Sequence, residues 1–369
     1  MVPELGVLAD DLTGALDSAA PFATRCSPVT VVSLGPKPKK CEKFAIDMES
    51  RDLAQDAAMD KMTSLLPELG TCRVAFKKID SLMRGSTFAE LRACCESKLF
   101  GTVVIAPAFP QQGRITKGGR QFAVDARGAW NHAGGVIAEE LGNGRARTRL
   151  VARHGELEGG GVAICDAESY GDLQHIVSAR AQLDGPVLWC GSAGLARELS
   201  KNQDAIFRPK GQRRLAIVGS RHPETLAQVD YFRTLHPEAV TMIRTASDVV
   251  AAIKHIDFNL HRRGLALAQL APEIEDSGRA CHLHHLFFEK LKGLPLPDLV
   301  TVAGGDTLYR LTQTMQMTEL SVVGEWTPGV AVSIPRDGHW AGIFIVSKSG
   351  AFGRSDFLRS LLDAAKWTE

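Results

Sequence analysis

Apolar residues along this chain come in short runs, each ending in a polar or glycine-rich turn and usually followed by a stretch with helical period. The runs at 5–9, 29–34, 44–47, 72–80, 102–108, 161–165 and 186–190 read as buried strands. Residues 13–25, 52–66 and 86–98 read as helices between them, and GSAGLA at 191–196 opens another. Continuous apolar strands separated by helices predict a parallel sheet covered on both faces. Residues 109–130 break the pattern with many glycines and several bases, and read as an insertion or an active-site loop. The polar segment Lys201 to Arg214 reads as a linker, after which the pattern restarts. Strands are expected at 215–220, 241–243, 264–270, 299–303, 329–334 and 342–347, with helices from Pro223, at 247–255, 281–292 and 308–316, and from Asp356. The expectation is two α/β domains, 1–205 and 212–369, with an active-site cleft between them and no internal sequence repeat.

At 369 residues the chain is too long for one ordinary core, which agrees with that division. Apolar content of 44% and charged content of 23% fit a globular protein. With 43 basic and 42 acidic residues, bulk charge gives no reason to expect nucleic acid or an anionic membrane as partner. A small anionic substrate remains compatible with local basic clusters, and a homodimer is compatible with everything above. Eight cysteines without a recurring CxxC pair read as reduced thiols. Cys94 and Cys95 fall in an apolar helical stretch and read as core. The absence of a leader-like start or a long apolar span sets cytoplasmic residence as the expectation.

Candidate chemistry sits at strand ends. VLADDLTGALDSA at 7–19 runs from a strand through Asp10 and Asp11 into a helix that Asp11, Thr13 or both would cap. Ligands of α/β proteins bind outside the carboxyl ends of the strands, and two crowded carboxylates there need compensating cations or donors. The competing reading is that Asp11 only caps and Asp10 faces water. KKIDSLMRGS at 77–86 follows another strand and offers Lys78, Asp80, Ser81 and Arg84 for a small polyhydroxy acid. A surface turn capped by Ser86 is the plainer alternative. In APAFPQQGR at 106–114, Gln111, Gln112 and Arg114 are placed to meet substrate oxygens, unless this is a structural crossover. GSRHPET at 219–225, TVAGGDT at 301–307 and SKSGAFG at 347–353 are three glycine-containing loops suited to phosphate. None is a P-loop, and no GxGxxG fingerprint follows the first strand, which disfavours a dinucleotide-dependent aldonate dehydrogenase. HLHH at 282–285 lacks metal-ligand spacing and reads as surface or packing histidines. No GxSxG elbow supports hydrolase chemistry.

In this order, ADDLTGALDSA, KKIDSLMRGS, APAFPQQGR, the GSxxxxT element and the terminal PGV and SKSGAFG segments resemble the four-carbon acid sugar kinase family over nearly the whole chain. The resemblance implies an N-terminal sugar-acid domain and a C-terminal ATP domain that together phosphorylate a terminal hydroxyl of threonate, erythronate or 3-oxo-tetronate. The substrate motifs match Asp10, Asp11, Lys78, Asp80, Arg84 and the loop from Gln112 to Arg114. The nucleotide motifs match Ser220, Gly304, Gly305, Asp306, Thr307, Gly350 and Gly353. Departures are GGDTLYR at 304–310 for a GGETSG-like segment, His222 for a small hydroxyl residue, and Leu82 and Met83 before RGS.

The expected enzyme uses ATP and Mg²⁺. Arg84 binds the acid's carboxylate, Asp11 or Asp80 accepts the hydroxyl proton, Lys348 meets phosphate, and Asp306 is a Mg²⁺-water ligand. The alternative is a catalytically weak sugar-acid or nucleotide-binding sensor.

Overall fold

The computed structural model describes residues 2–33, 38, 41–125, 128–142, 148–270 and 277–363. The chain divides into two compact units, Met1–Ala205 and Ile206–Glu369. In the first, strands β1 (Leu5–Ala9), β2 (Val29–Ser33), β3 (Lys43–Asp47), β4 (Val74–Lys78) and β5 (Thr102–Ala106) are followed by a small sheet of β6 (Arg114–Lys117), β7 (Arg120–Val124) and β8 (Trp130–Val136). Strands β9 (Thr148–Val151), β10 (Gly161–Cys165) and β11 (Val187–Gly191) complete the unit. The main sheet has the order β2-β3-β1-β4-β11-β5-β10-β9, and its pairings are all parallel.

The second unit contains β12 (Arg214–Val218), β13 (Val240–Ile243), β14 (Leu265–Leu270), β15 (Leu299–Ala303), β16 (Glu319–Thr327), β17 (Val330–Pro335) and β18 (Phe344–Lys348). Their order is β13-β14-β12-β15-β18-β17-β16, parallel except that β17 runs against both neighbours. Each unit therefore opens with the same arrangement. Its first strand is flanked by its third on one side and its fourth on the other. That is a topological switch point, where loops leave in opposite directions and open a crevice at the strand ends.

The alternation of buried strands and helices stands, but several local expectations are corrected. Residues 109–130, expected as an insertion or an active-site loop, supply β6, β7 and the start of β8 in a separate antiparallel sheet, so the segment is an insertion with regular structure of its own. Gly118 and Gly119, with φ of +58° and +67°, make the tight two-residue turn between β6 and β7. Two left-handed residues in a row match the right-handed twist of a hairpin, and glycine takes them without strain. The first helix spans Leu12–Ala19 and tightens into a 3-10 turn through Pro21, short of the expected end at residue 25. Asp11 caps it by accepting from the Gly14 N–H at 2.7 Å, whereas Thr13 lies inside the helix. Ser86 precedes the helix Thr87–Glu96, but its hydroxyl donates to the Leu53 carbonyl instead of capping.

Strand β9, the bulged β16 and the helix Tyr170–Ser178, whose capping box joins Ser169 to Asp172, had no counterpart in the sequence reading. The expected strand residue Leu34 and most of the turn at 35–40 lie outside the described residues. All eight cysteines are free; Cys94 is buried and Cys95 half-buried. Among the described residues, no helix is long and apolar enough to cross a membrane.

Candidate active site

The order β3-β1-β4 brings three strand ends together in the first unit. β1 delivers Asp10 and Asp11, β4 delivers Lys78 and Asp80, and the turn after β3 delivers Arg51. Arg51 joins the cluster with three separate nitrogens. Nε donates to Asp10 at 2.8 Å, Nη1 to Asp11, and Nη2 lies 3.2 Å from Asp80 Oδ2. Arg84 adds a second fork on Asp80, with Nη2 at 2.7 Å, and its own side chain is 58% exposed. Lys78 is buried, 3.9 Å from Asp17, and a Cβ on Gly14 would sit 3.0 Å from its Nζ and 2.7 Å from Asp11 Oδ1.

These neighbours split the proton affinities of the carboxylates. Burial raises that of Asp10, but Arg51 and the lysines outweigh burial and hold it below the usual range. Burial also works against Asp80, yet its bond to Arg84 and the nearby Arg51 keep it well below that range. Asp11 goes the other way: burial, reinforced by the Asp10 charge, outweighs Arg51 and raises it. Asp10 Oδ1 is buried without a hydrogen-bond partner. A ligand hydroxyl would satisfy that acceptor.

Two further buried acids ring the cluster. Burial pushes Asp17 and Asp47 up to about 7. Each keeps its proton in the folded chain between its unfolded value near 3.8 and 7, where the unfolded chain has lost it. Stability from this source is therefore full below about pH 4 and is lost as pH rises to 7. Asp47→Asn should flatten part of the decline in the urea midpoint between pH 4 and 7. A decline identical to the parent chain would show that Asp47 ionises freely.

Of the other residues singled out in the sequence, Ser81 enters through its carbonyl, which accepts from Gln121 Nε2 at 3.0 Å. Gln112 closes the 3-10 turn Pro110–Gln112 ahead of the small sheet, and Arg114 is buried at the start of β6 within it. That sheet reaches the Asp80 turn through Gln121 and through Gly134, where a Cβ would stand 3.0 Å from Met83. Gln111 accepts from the Tyr170 hydroxyl at 2.9 Å. Sequence reasoning missed Arg51, Asp17, Lys77 and Glu90. The one available signal was Asp47, a strand-ending acid three residues before the Ser50-Arg51 pair.

In the second unit, the three glycine loops meet at the β12/β15 switch point. Gly219 and Ser220 N–H groups face the Ala303 carbonyl, and the Gly304 N–H donates to the Lys348 carbonyl at 3.1 Å. A Cβ on Gly219 would lie 2.2 Å from Thr307 Oγ1, and one on Gly350 would lie 2.2 Å from Ser220 Oγ. Only glycine permits so close an approach, which leaves the loop backbones for a ligand. Gly353, at φ +93°, is held through its carbonyl by Gln228 Nε2 at 2.8 Å.

Lys348 is buried and donates to Thr225 Oγ1 at 2.9 Å; burial pushes it down to about 7. His284, from the HLHH run, is buried against Gly219, and burial pushes it down to about 4. Gly305, Asp306 and Thr307 form the first turn of the helix Gly305–Met315. Asp306 is 65% exposed and paired with Arg310 at 2.8 Å. Among the described residues, no three acidic, histidine or cysteine side chains group to cage a metal.

Comparison with known proteins matches these two units to two domain families. Residues 5–142 and 130–199 match a sugar-binding N-terminal domain, and residues 215–358 match a nucleotide-binding C-terminal domain. A D-threonate kinase of Cupriavidus necator is 33% identical over 58% of this chain and 60% of that protein. A D-threonate kinase of Bordetella bronchiseptica is 27% identical over 96% of both chains. A 3-oxo-tetronate kinase of Salmonella typhimurium is 25% identical over 96% of this chain and 97% of that one. The fold is shared with a solved structure described as a putative tRNA synthase from Salmonella typhimurium, at 20% identity and TM-score 0.70, covering 98% of this chain and 99% of that one. With both domain types matched in sequence and order, the chain belongs to the four-carbon acid sugar kinase family.

Proposed function

We propose that this protein transfers the γ-phosphoryl group of ATP to the terminal hydroxyl of a four-carbon acid sugar, with D-threonate the first acid to test. The observation that carries the reading is the Arg51-bridged carboxylate trio, whose members differ in proton affinity at the switch point of the sugar-binding domain. Groups pushed apart in this way divide the work of binding and proton transfer. The outward-facing side of Arg84 takes the substrate carboxylate, and Asp10 accepts from a substrate hydroxyl. Asp11, the carboxylate with raised affinity, takes the proton of the attacking hydroxyl as its oxygen bonds to phosphorus and the bond to ADP breaks. Asp80, held far below the usual range by two arginines, is a poor proton acceptor and orients Arg84.

The Ser220, Gly304–Thr307 and Gly350–Gly353 loops hold the phosphates, with Lys348 as a point charge. Asp306 would hold a Mg²⁺ brought with ATP, and the ion would supply charge compensation on the transferring group.

The test is ADP release with ATP and Mg²⁺ across D- and L-threonate, D- and L-erythronate and their 3-oxo forms, with mass spectrometry of the product. Acid-dependent ADP with an equal amount of phospho-acid is expected. ADP without phospho-acid, or ligand binding without turnover, overturns the kinase reading; the latter outcome identifies a sensor. Asp11→Asn then isolates the base. Asparagine caps helices as well as aspartate does, so the fold should persist. A fall in kcat of about 100-fold or more, with KM changed far less, is expected for a lost general base. A kcat within a few-fold of the parent would remove Asp11 from that role.

A further inference from the structure

Behind the carboxylate trio lies a second set of charges that the proposed reaction does not touch. β4 places Lys77 and Lys78 side by side, and successive strand residues face opposite sides of a sheet. Lys78 faces Asp17 on the helix Leu12–Ala19, while Lys77 faces Glu90 on the helix Thr87–Glu96. Lys77 and Glu90 are both 1% exposed and pair at 2.7 Å. Replacing such a buried pair by apolar residues of similar size is often neutral or stabilising, so stability gives no reason for its presence here.

Its connections give one. Glu90 accepts from the Ser50 hydroxyl through its other oxygen, and Lys77 Nζ also donates to the Lys78 carbonyl at 2.7 Å. Ser50 and Arg51 donate their backbone N–H groups to the Asp10 carbonyl at 3.0 and 3.2 Å. The residue before them, Glu49, sits at φ +47°, a left-handed conformation that persists only where the surroundings impose it. Arg51 is further packed on Gly85, where a Cβ would fall 2.6 Å from the Arg51 carbonyl oxygen. The segment carrying Arg51 is thus pinned to β1 on one side and to Glu90 on the other.

We infer that the Ser50–Glu90–Lys77 strut is a positioning device that aims the Arg51 guanidinium at Asp10, Asp11 and Asp80 and so sets the affinity of the site for its acid. The inference rests on the proposed function for its kinetic reading. It stands separately in its structural one.

Two variants test it. S50A removes only the link from the strut to the Arg51 segment. K77M/E90M removes both charges while keeping volume, so it should fold even if E90Q, which strands a buried lysine, does not. Both are expected to raise KM for the acid about tenfold and leave KM for ATP within about twofold when assayed well below Tm. In an R51K background, S50A should add less than twofold, because coupled residues are non-additive when one acts through the other. An unchanged acid KM, equal changes in both KM values, or multiplicative effects with R51K would overturn the strut. A second readout needs no turnover: the Arg51 Nε–H, bonded to Asp10 Oδ2 at 2.8 Å, is expected to give a protected resonance in the parent that broadens or shifts in S50A. If the parent phosphorylates none of the acids, the kinase reading fails, and an unmoved Arg51 resonance alone decides against the strut.

Discussion

Arg51→Lys is expected to lower kcat/KM for the acid by about 100-fold or more, equivalent to about 2.7 kcal/mol, while KM for ATP stays within about twofold. The size follows from geometry. Three nitrogens of one planar guanidinium serve Asp10 and Asp11 at the end of β1 and Asp80 beyond the end of β4. A lysine ammonium is a point charge on a flexible stem and cannot hold three carboxylates in fixed mutual orientation. Charged hydrogen bonds of this kind are worth about 1.5–3 kcal/mol each, and losing two of them accounts for the expected effect. The substitution preserves the formal charge, so a loss of function would report the lost fork instead of simple charge removal. The carboxylates would also repel one another more, pushing Asp11 further up and lowering the urea midpoint. Steady-state kinetics at a temperature well below the melting point separates the two effects. Parent-like kinetics in R51K would show that the trio is a structural cluster and that the acid binds elsewhere.

The sequence made some of this site readable and hid the rest for identifiable reasons. Asp10, Asp11 and Asp80 follow apolar runs directly, and a strand end is a local signal. Arg51 stands four residues beyond Asp47, the end of β3, in a turn read as the approach to a helix. Its importance depends on β3 pairing with β1, a neighbour relation that periodicity does not carry. Lys77 and Glu90 were hidden similarly: a charged residue in a strand and another in a helix look solvated until both prove buried against each other. The hairpin of β6 and β7 was legible in principle from its Gly118–Gly119 turn, but the surrounding bases and glycines suggested a loop. In the second unit, the glycine spacing correctly marked three loops, while their meeting at one switch point follows from the strand order β14-β12-β15-β18. The shared opening topology of the two units left no trace as a sequence repeat, because packing constrains volume and polarity more than residue identity.

Lys348→Met should stabilise the protein and damage nucleotide binding at once. The amine is 1% exposed and burial pushes it down to about 7, against 10.5 for a solvated lysine. Between those values the unfolded chain holds a proton that the folded chain has released. Stability from this group therefore rises as pH climbs from 7 to 10.5, and the penalty is full below 7. Methionine fills a similar volume without that penalty, so Tm at pH 7 should rise by several degrees, and its slope against pH between 7 and 10 should flatten. A buried lysine held by one hydroxyl, Thr225 Oγ1, is tolerable if a phosphate completes its partners in the working enzyme. Nearby anionic phosphate favours the protonated amine, so the parent's KM for ATP should rise as pH passes above 7. In Lys348→Met the KM for ATP should be higher by about 10–100-fold, the worth of one charge-assisted contact, and should lose that pH dependence. The KM for the acid should hardly move. Calorimetry and ATP titration on the same preparation decide the matter. A variant that gains stability but binds ATP as tightly as the parent would leave Lys348 a buried amine with no part in phosphate recognition. A variant that loses stability would show that the Lys348–Thr225 contact is worth more than the burial of the amine costs.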